Sequence, residues 1–161
     1  MAKKGKGQKE EKAGPAAVNN RRARYDYEIM DSSEAGIALV GSEVKSIYAG
    51  KVNLADAFCR ILNRELWLMN CDVETYSHSS AYSPDRRRDR KLLMHRKEID
   101  LLERRSLEKG LSIIPLRMYF KNGRVKVEVG LGRGRREYDK REAIEKKETR
   151  RELERARSER F

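Results

Sequence analysis

Leu111-Ser112-Ile113-Ile114-Pro115-Leu116-Arg117-Met118-Tyr119-Phe120 runs through Lys121-Asn122-Gly123 into Arg124-Val125-Lys126-Val127-Glu128-Val129. The first run is rich in aliphatic and aromatic side chains. The last alternates charged and apolar residues at every step, the period of a half-buried strand. Asn-Gly between two such runs is a strong hairpin signal, because both residues accept the positive φ of a tight turn. Upstream, Lys91 to Lys109 predicts a helix, with Leu92, Ile99 and Leu102 in its buried stripe and Gly110 just past its end. Residues 76–90 predict a loop, long enough to be functional or mobile. Asn53 to Leu62 and Glu65 to Val73 predict a strand pair turning at Asn63-Arg64. In the first of these, Leu54, Phe58 and Leu62 share one face and Ala57, Cys59 and Ile61 the other, as in a small barrel. Gly41 to Gly50 predicts a short helix capped by Ser42. Ala35 to Val40 is an apolar run after a polar turn, and Tyr25 to Ile29 alternates like a strand. These elements show no βαβ rhythm. About six antiparallel strands with short helices predict a mainly β domain of the OB type, a small barrel that binds oligonucleotides.

The chain has 161 residues and a net charge of +12. Residues 1–24 carry +6, residues 133–161 carry +4, and the body between them only +2. This division predicts a disordered basic leader over 1–20, a barrel over 21–132 and a basic tail over 133–161. After Arg141 the tail's only apolar side chains are Ala143, Ile144, Leu153, Ala156 and Phe161. That is too narrow a stripe to dock on a core, although the residues favour helix. The tail is therefore predicted to be disordered alone and helical against a polyanion. Basic arms lie along phosphates, where each contact releases counterions. Neither arm has the apolar face that an anionic membrane surface demands. No run of eighteen apolar residues and no apolar stretch behind the N-terminal lysines occurs, so the expected setting is cytoplasmic, with Cys59 and Cys71 as buried thiols.

Catalytic and metal chemistry find little support. Cys59, Cys71, His78 and His95 lack the close pair usual in structural zinc sites, so no metal or other cofactor is expected. Nothing in the spacing sets a histidine beside a cysteine as its base, and no catalytic residue is assigned. Gly130-Leu131-Gly132-Arg133-Gly134 superficially resembles a phosphate loop but lacks the Gly-Lys-Ser/Thr ending. It reads as a flexible, basic strand exit. Arg86, Arg87 and Arg88 beside Tyr76, His78 and Tyr82 combine cations for phosphates with rings for bases, which favours RNA.

Several runs together resemble the SsrA-binding protein family (small protein B). They are Asn20-Arg21-Arg22-Ala23-Arg24-Tyr25-Asp26-Tyr27, Glu34-Ala35-Gly36-Ile37, Gly41-Ser42-Glu43-Val44-Lys45-Ser46, Arg88-Asp89-Arg90-Lys91-Leu92-Leu93, Glu98-Ile99, residues 115–123 and Tyr138-Asp139-Lys140-Arg141. The resemblance covers about residues 20–160. It implies an RNA-binding adaptor of trans-translation that grips the tRNA-like domain of tmRNA. Such an adaptor works with elongation factor Tu on stalled ribosomes, and its tail becomes helical in the empty messenger channel. It implies tmRNA contacts at Glu34, Leu93 and Lys126, with Lys45, Arg90 and Lys91 in neighbouring matching runs. It places Tyr138 at the decoding centre with Arg135, Arg136, Asp139, Lys140 and Arg141 around it, Asp139 capping the tail helix. Two positions depart from the family pattern. Arg135-Arg136 replaces a lysine pair, and Tyr48 stands where a cation is usual. A barrel that binds RNA without entering the ribosomal A site is the alternative.

Overall fold

The computed structural model describes residues 14–78 and 83–158. Among these, nine strands and four helices follow in the order β1 (Val18–Asn19), α1 (Arg21–Asp26), β2 (Tyr27–Ile37), α2 (Gly41–Tyr48), β3 (Val52–Asn53), β4 (Phe58–Leu62), β5 (Glu65–Met69), β6 (Asp72–Val73), β7 (Arg90–Leu93), α3 (Arg96–Lys109), β8 (Ser112–Lys121), β9 (Arg124–Gly134) and α4 (Glu137–Ser158). Seven strands form one antiparallel sheet in the order β1-β8-β9-β2-β7-β5-β4, and β3 pairs with β6. The sheet curls until β4 lies against β8 without a hydrogen-bonded ladder between them. This is the expected mainly β, partly closed barrel with short helices. Its interior holds Leu66, Leu68, Leu92, Met118, Val127 and Val129, all nearly inaccessible to water.

Both tight turns form as the sequence predicts. Asn122 and Gly123 take φ of 52° and 73°, and Asn63 and Arg64 take 50° and 61°. Gly110 ends α3 in the left-handed region at φ 59°. The predicted helix over Lys91–Lys109 is shorter, because Arg90–Leu93 is strand β7, wedged between β2 and β5. A four-residue strand followed by a helix gives one continuous apolar pattern, and Leu92 fits either reading. The strand predicted from Tyr25 starts instead at Tyr27, after α1, and the polar turn before Ala35 is absent. Asp31-Ser32-Ser33 stays in β2 with an irregularity in register, so its polar side chains lie on a strand rather than in a turn. Asn53 to Leu62 is broken by a turn at Ala55-Asp56, and Phe58 and Leu62 face outward. Ser42 does not cap α2; Glu43 reaches back to accept the Val40 N–H at 3.1 Å.

Gly130-Leu131-Gly132 is not a flexible exit. It continues β9 and pairs with β2 and β8. A Cβ on Gly130 would stand 2.8 Å from Leu116 Cδ1, and one on Gly132 would stand 2.9 Å from Tyr27 Cβ. The two glycines thus make room for a second, smaller core of Ala23, Ile114 and Leu116, packed by Tyr27 and Ile29. Ala23 brings α1 onto this core. The leader boundary also moves. Residues 1–13 lie outside the described residues, while β1 pairs with β8, and Asn20 is buried with its amide donating to Leu54 O and Pro115 O at 3.0 and 2.9 Å.

Candidate nucleic-acid interface

The register of the sheet sets the outer face. Tyr119 pairs with Lys126, Lys126 with Gly36, and Gly36 with Leu93. In the next row, Arg117 pairs with Glu128 and Glu128 with Glu34. Side chains two apart on a strand share a face, so these rows form one patch across β8, β9, β2 and β7. Glu34, Leu93 and Lys126 are far apart in the chain and meet here. Gly36 lets Leu93 lie close: a Cβ there would stand 3.3 Å from Leu93 Cβ. Leu93 is half exposed in a barrel that buries most of its leucines.

The polar groups of this patch hold one another. Tyr119 Oη donates to Glu34 Oε2, and Lys121 Nζ lies 3.4 Å from both Glu34 oxygens. The Tyr119 hydrogen bond, with Lys121 and Lys126 nearby, holds the Glu34 carboxyl below its ordinary value. Partial burial and the Glu34 carboxylate push Tyr119 up to about 12, so it remains a donor at neutral pH. Arg117 stacks 4.7 Å from the Tyr119 ring centre and pairs with Glu128 at 2.5 Å. Among the described residues Lys126 makes no direct ion pair, though its charge acts on the Glu34 carboxylate. Lys91 continues the patch toward β5, where it meets Glu65 at 3.0 Å.

Lys45 lies on the exposed side of α2, 5.2 Å from the Tyr76 ring centre, and Tyr76 meets His78 edge to face at 5.6 Å. Tyr82 lies outside the described residues. Tyr48 packs edge to face on Phe120 at 5.6 Å and so does not replace the missing cation. Among the described residues, Arg86 and Arg87 both reach Asp72, at 2.9 and 4.0 Å. These exposed pairs are weak and exchangeable.

Arg90 requires a correction. The sequence reading puts it on RNA, but it is fully buried. Its Nε donates to Glu43 Oε2 at 2.6 Å, Nη1 to Cys71 O and Arg88 O at 2.8 and 3.1 Å, and Nη2 to Arg86 O at 3.0 Å, with Nη2 also 2.6 Å from Glu43 Oε2. No donor remains for a phosphate. Glu43 is itself buried and also accepts from Arg88 Nε at 3.2 Å. Burial raises the Glu43 pKa, yet hydrogen bonds from Arg88, the Val40 N–H and Arg90 outweigh it, and the carboxyl titrates below its ordinary value. The pair ties α2 to the arginine loop and thereby sets Lys45 beside Tyr76.

The tail is helical over Glu137–Ser158. The Arg135 N–H donates to Asp26 O at 2.8 Å, and Lys140 Nζ sits 3.2 Å from Asp26 Oδ1 and 5.6 Å from the Tyr25 ring centre. These contacts anchor the start of α4 on α1. Arg136 and Arg141 are exposed. Tyr138 and Asp139 fall in the first turn, so Asp139 is inside the helix rather than its cap; their side chains lie outside the described residues. Most of α4 beyond Ala143 faces solvent, in keeping with the missing apolar stripe.

Among the described residues no cluster of histidine, cysteine, aspartate or glutamate could hold a metal. Cys59 and Cys71 are free and buried, and burial raises both thiol pKa values, Cys71 to about 11. No helix among the described residues is long and apolar enough to cross a membrane. Sequence reasoning missed Arg117, Tyr119 and Glu128 on the patch. The alternation of β8 carried the signal, since Arg117, Tyr119 and Lys121 occupy every second position.

A barrel whose outer face carries cations, an exposed leucine and a tethered tyrosine defines an RNA-binding class of protein. Comparison with known proteins narrows the class. The model of the SmpB protein family matches residues 17–159. The SsrA-binding protein of Thermobifida fusca is 48% identical over 157 residues, covering 97% of both chains. That of Thermosynechococcus vestitus is 51% identical over 138 residues, covering 85% of this chain and 91% of its own. A solved chain described as "tmRNA-SmpB: a journey to the center of the bacterial ribosome" superposes with a TM-score of 0.65 at 46% identity, covering 80% of this chain and 94% of the other. The chain belongs to the SmpB family.

Proposed function

We propose that this protein binds tmRNA and serves as an adaptor of trans-translation. The observation that carries this reading is the convergence of Glu34, Leu93 and Lys126 on one face of the barrel. Its relatives are named SsrA-binding proteins, and its structural neighbour is described with tmRNA and the ribosome. In this reading the patch holds the tRNA-like domain. Lys126 and Lys91 meet phosphates, and Leu93 packs against the RNA surface. Glu34 orients Tyr119 and Lys121 rather than facing a phosphate itself. Lys45 adds a cation beside the Tyr76 ring. Elongation factor Tu accompanies the complex to the stalled ribosome in the cytoplasm. The tail, with Arg135, Arg136, Tyr138, Asp139, Lys140 and Arg141 at its start, enters the empty messenger channel near the decoding centre. No step of chemistry is assigned to the protein.

Removing residues 137–161 tests the division of labour. Because β9 ends at Gly134, this truncation leaves the barrel's pairing intact. The truncated protein is expected to bind the tRNA-like domain as before and to lose peptide tagging on stalled ribosomes. Tagging at the full rate would refute the role given to the tail.

A further inference from the structure

Asp26 closes α1, and both its backbone and its side chain reach across to the end of β9. Its carbonyl accepts the Arg135 N–H at 2.8 Å, and its Oδ1 stands 3.2 Å from Lys140 Nζ. The two contacts fall on either side of the junction between β9, which ends at Gly134, and α4, which begins at Glu137. One contact would leave the helix free to swivel about it; two fix a direction. The carboxylate gains nothing from its own helix, whose C-terminal end favours cations. Arg22, its other partner at 3.4 Å, also has Asp56 at 2.9 Å. The helix that carries Asp26 is firmly mounted. Asn20 caps it by accepting the Ala23 N–H at 3.1 Å, and Ala23 is buried in the second core. Lys140 is held more closely than Arg150 further along α4. Its side chain is 28% exposed against 82%, and its ammonium lies 5.6 Å from the Tyr25 ring centre.

We infer that Asp26 is a positioning residue for the tail, and that Lys140 acts on Asp26 rather than on RNA. The pair is a latch that sets the direction in which α4 leaves the barrel. Its consequence for tagging rests on the adaptor reading, in which that direction aims the helix into the messenger channel once the barrel has docked. The latch itself does not rest on it. Lys140 turns its ammonium onto a carboxylate and a ring of its own chain, whereas Arg136 and Arg141 beside it are exposed. The three cations of this stretch therefore divide their work: Lys140 faces the barrel, and the two arginines face outward. A partly exposed ion pair shifts an equilibrium only a few-fold. That strength suits a contact that steers the helix without locking it.

The test compares full-length wild type with D26N, K140Q and the charge exchange D26K/K140D, each checked for folding by a thermal melt. Two readouts are used. The first is zero-length carbodiimide cross-linking of the free protein, mapped by mass spectrometry. Wild type should give an Asp26–Lys140 cross-link, the exchange variant should give its mirror, and the single variants should give neither. The second is peptide tagging on stalled ribosomes. Each single variant should tag about three- to fivefold more slowly, and the exchange should recover most of that loss. Binding of D26N to the tRNA-like domain should change less than about twofold. A direct contact between Lys140 and RNA makes the opposite forecast: D26N tags at the wild-type rate, and the exchange stays as slow as K140Q. That result would overturn the inference, as would the absence of the wild-type cross-link. Wild-type protein that cannot tell the tRNA-like domain from an unrelated RNA would instead refute the adaptor reading, and the cross-link would still decide the latch.

Discussion

Replacing Arg90 with alanine removes a guanidinium that is fully buried and donates four hydrogen bonds. Three carbonyl oxygens, from Cys71, Arg86 and Arg88, lose this donor. Glu43 keeps Arg88 and the Val40 N–H but loses its most buried cation. Removing one partner of a buried ion pair costs about 3–5 kcal/mol, since the other charge stays out of water. A domain has only about 5–15 kcal/mol in total. For a chain of this length each kcal/mol moves the melting temperature by about 2–4 °C, so the expected fall is roughly 6–20 °C. Urea and thermal unfolding would measure it. R90K keeps the charge but cannot reproduce a four-bond fork, so it should recover only part of the loss. R90A should also keep the wild-type salt slope for RNA at a temperature where it is folded. A loss below about 1 kcal/mol, or a salt slope reduced by about one, would refute the scaffold role and return Arg90 to the RNA surface.

Three further outcomes follow from the same geometry. Glu43 titrates below its ordinary value of 4.5, so its contribution to stability is present above that pH and is lost as pH falls through the lower native value. Acid unfolding of E43Q should therefore be less steep than that of wild type, and equal slopes would contradict the assignment. G130A forces Leu116 to move and should cost about 1–3 kcal/mol in a urea melt, whereas an unchanged midpoint would mean that the second core yields freely. Y119F removes the donor to Glu34 and should weaken tRNA-like-domain binding several-fold without changing the salt slope, measured by fluorescence anisotropy; a fall in slope would make Tyr119 a mediator of phosphate contact.

Much of the barrel is legible because tight turns announce themselves. Asn122-Gly123, Asn63 and Gly110 take a positive φ at residue types that favour it, and these locate the turns; Arg64 follows Asn63 into the same region without such a signal. Strand β7 is hidden for the opposite reason. Four residues are too few to display a period of two, and the helix pattern beside them absorbs Leu92. The glycines of β9 misled because glycine marks both mobility and close packing, and only the second core beneath α1 separates the two. The patch is legible in part. Family resemblance points to Glu34, Leu93 and Lys126, but sequence cannot supply the register that adds Tyr119 and Arg117. Arg90 shows the limit of reading charge as exposure. Arg88 and Arg90 look in sequence like free loop cations, yet both turn to the buried carboxylate of Glu43, a partner 45 and 47 residues away that local sequence does not reveal.

The most direct measurement compares binding of the full-length protein to the tRNA-like domain of tmRNA with binding to an unrelated structured RNA of equal length, over a salt series. Both affinities should fall as salt rises, because cations meet phosphates in each case. A preference for the tRNA-like domain that survives at high salt, and that K126Q reduces, is the result expected of a barrel face that reads shape. Equal affinities at every salt concentration would contradict it and leave only the charge of the two arms.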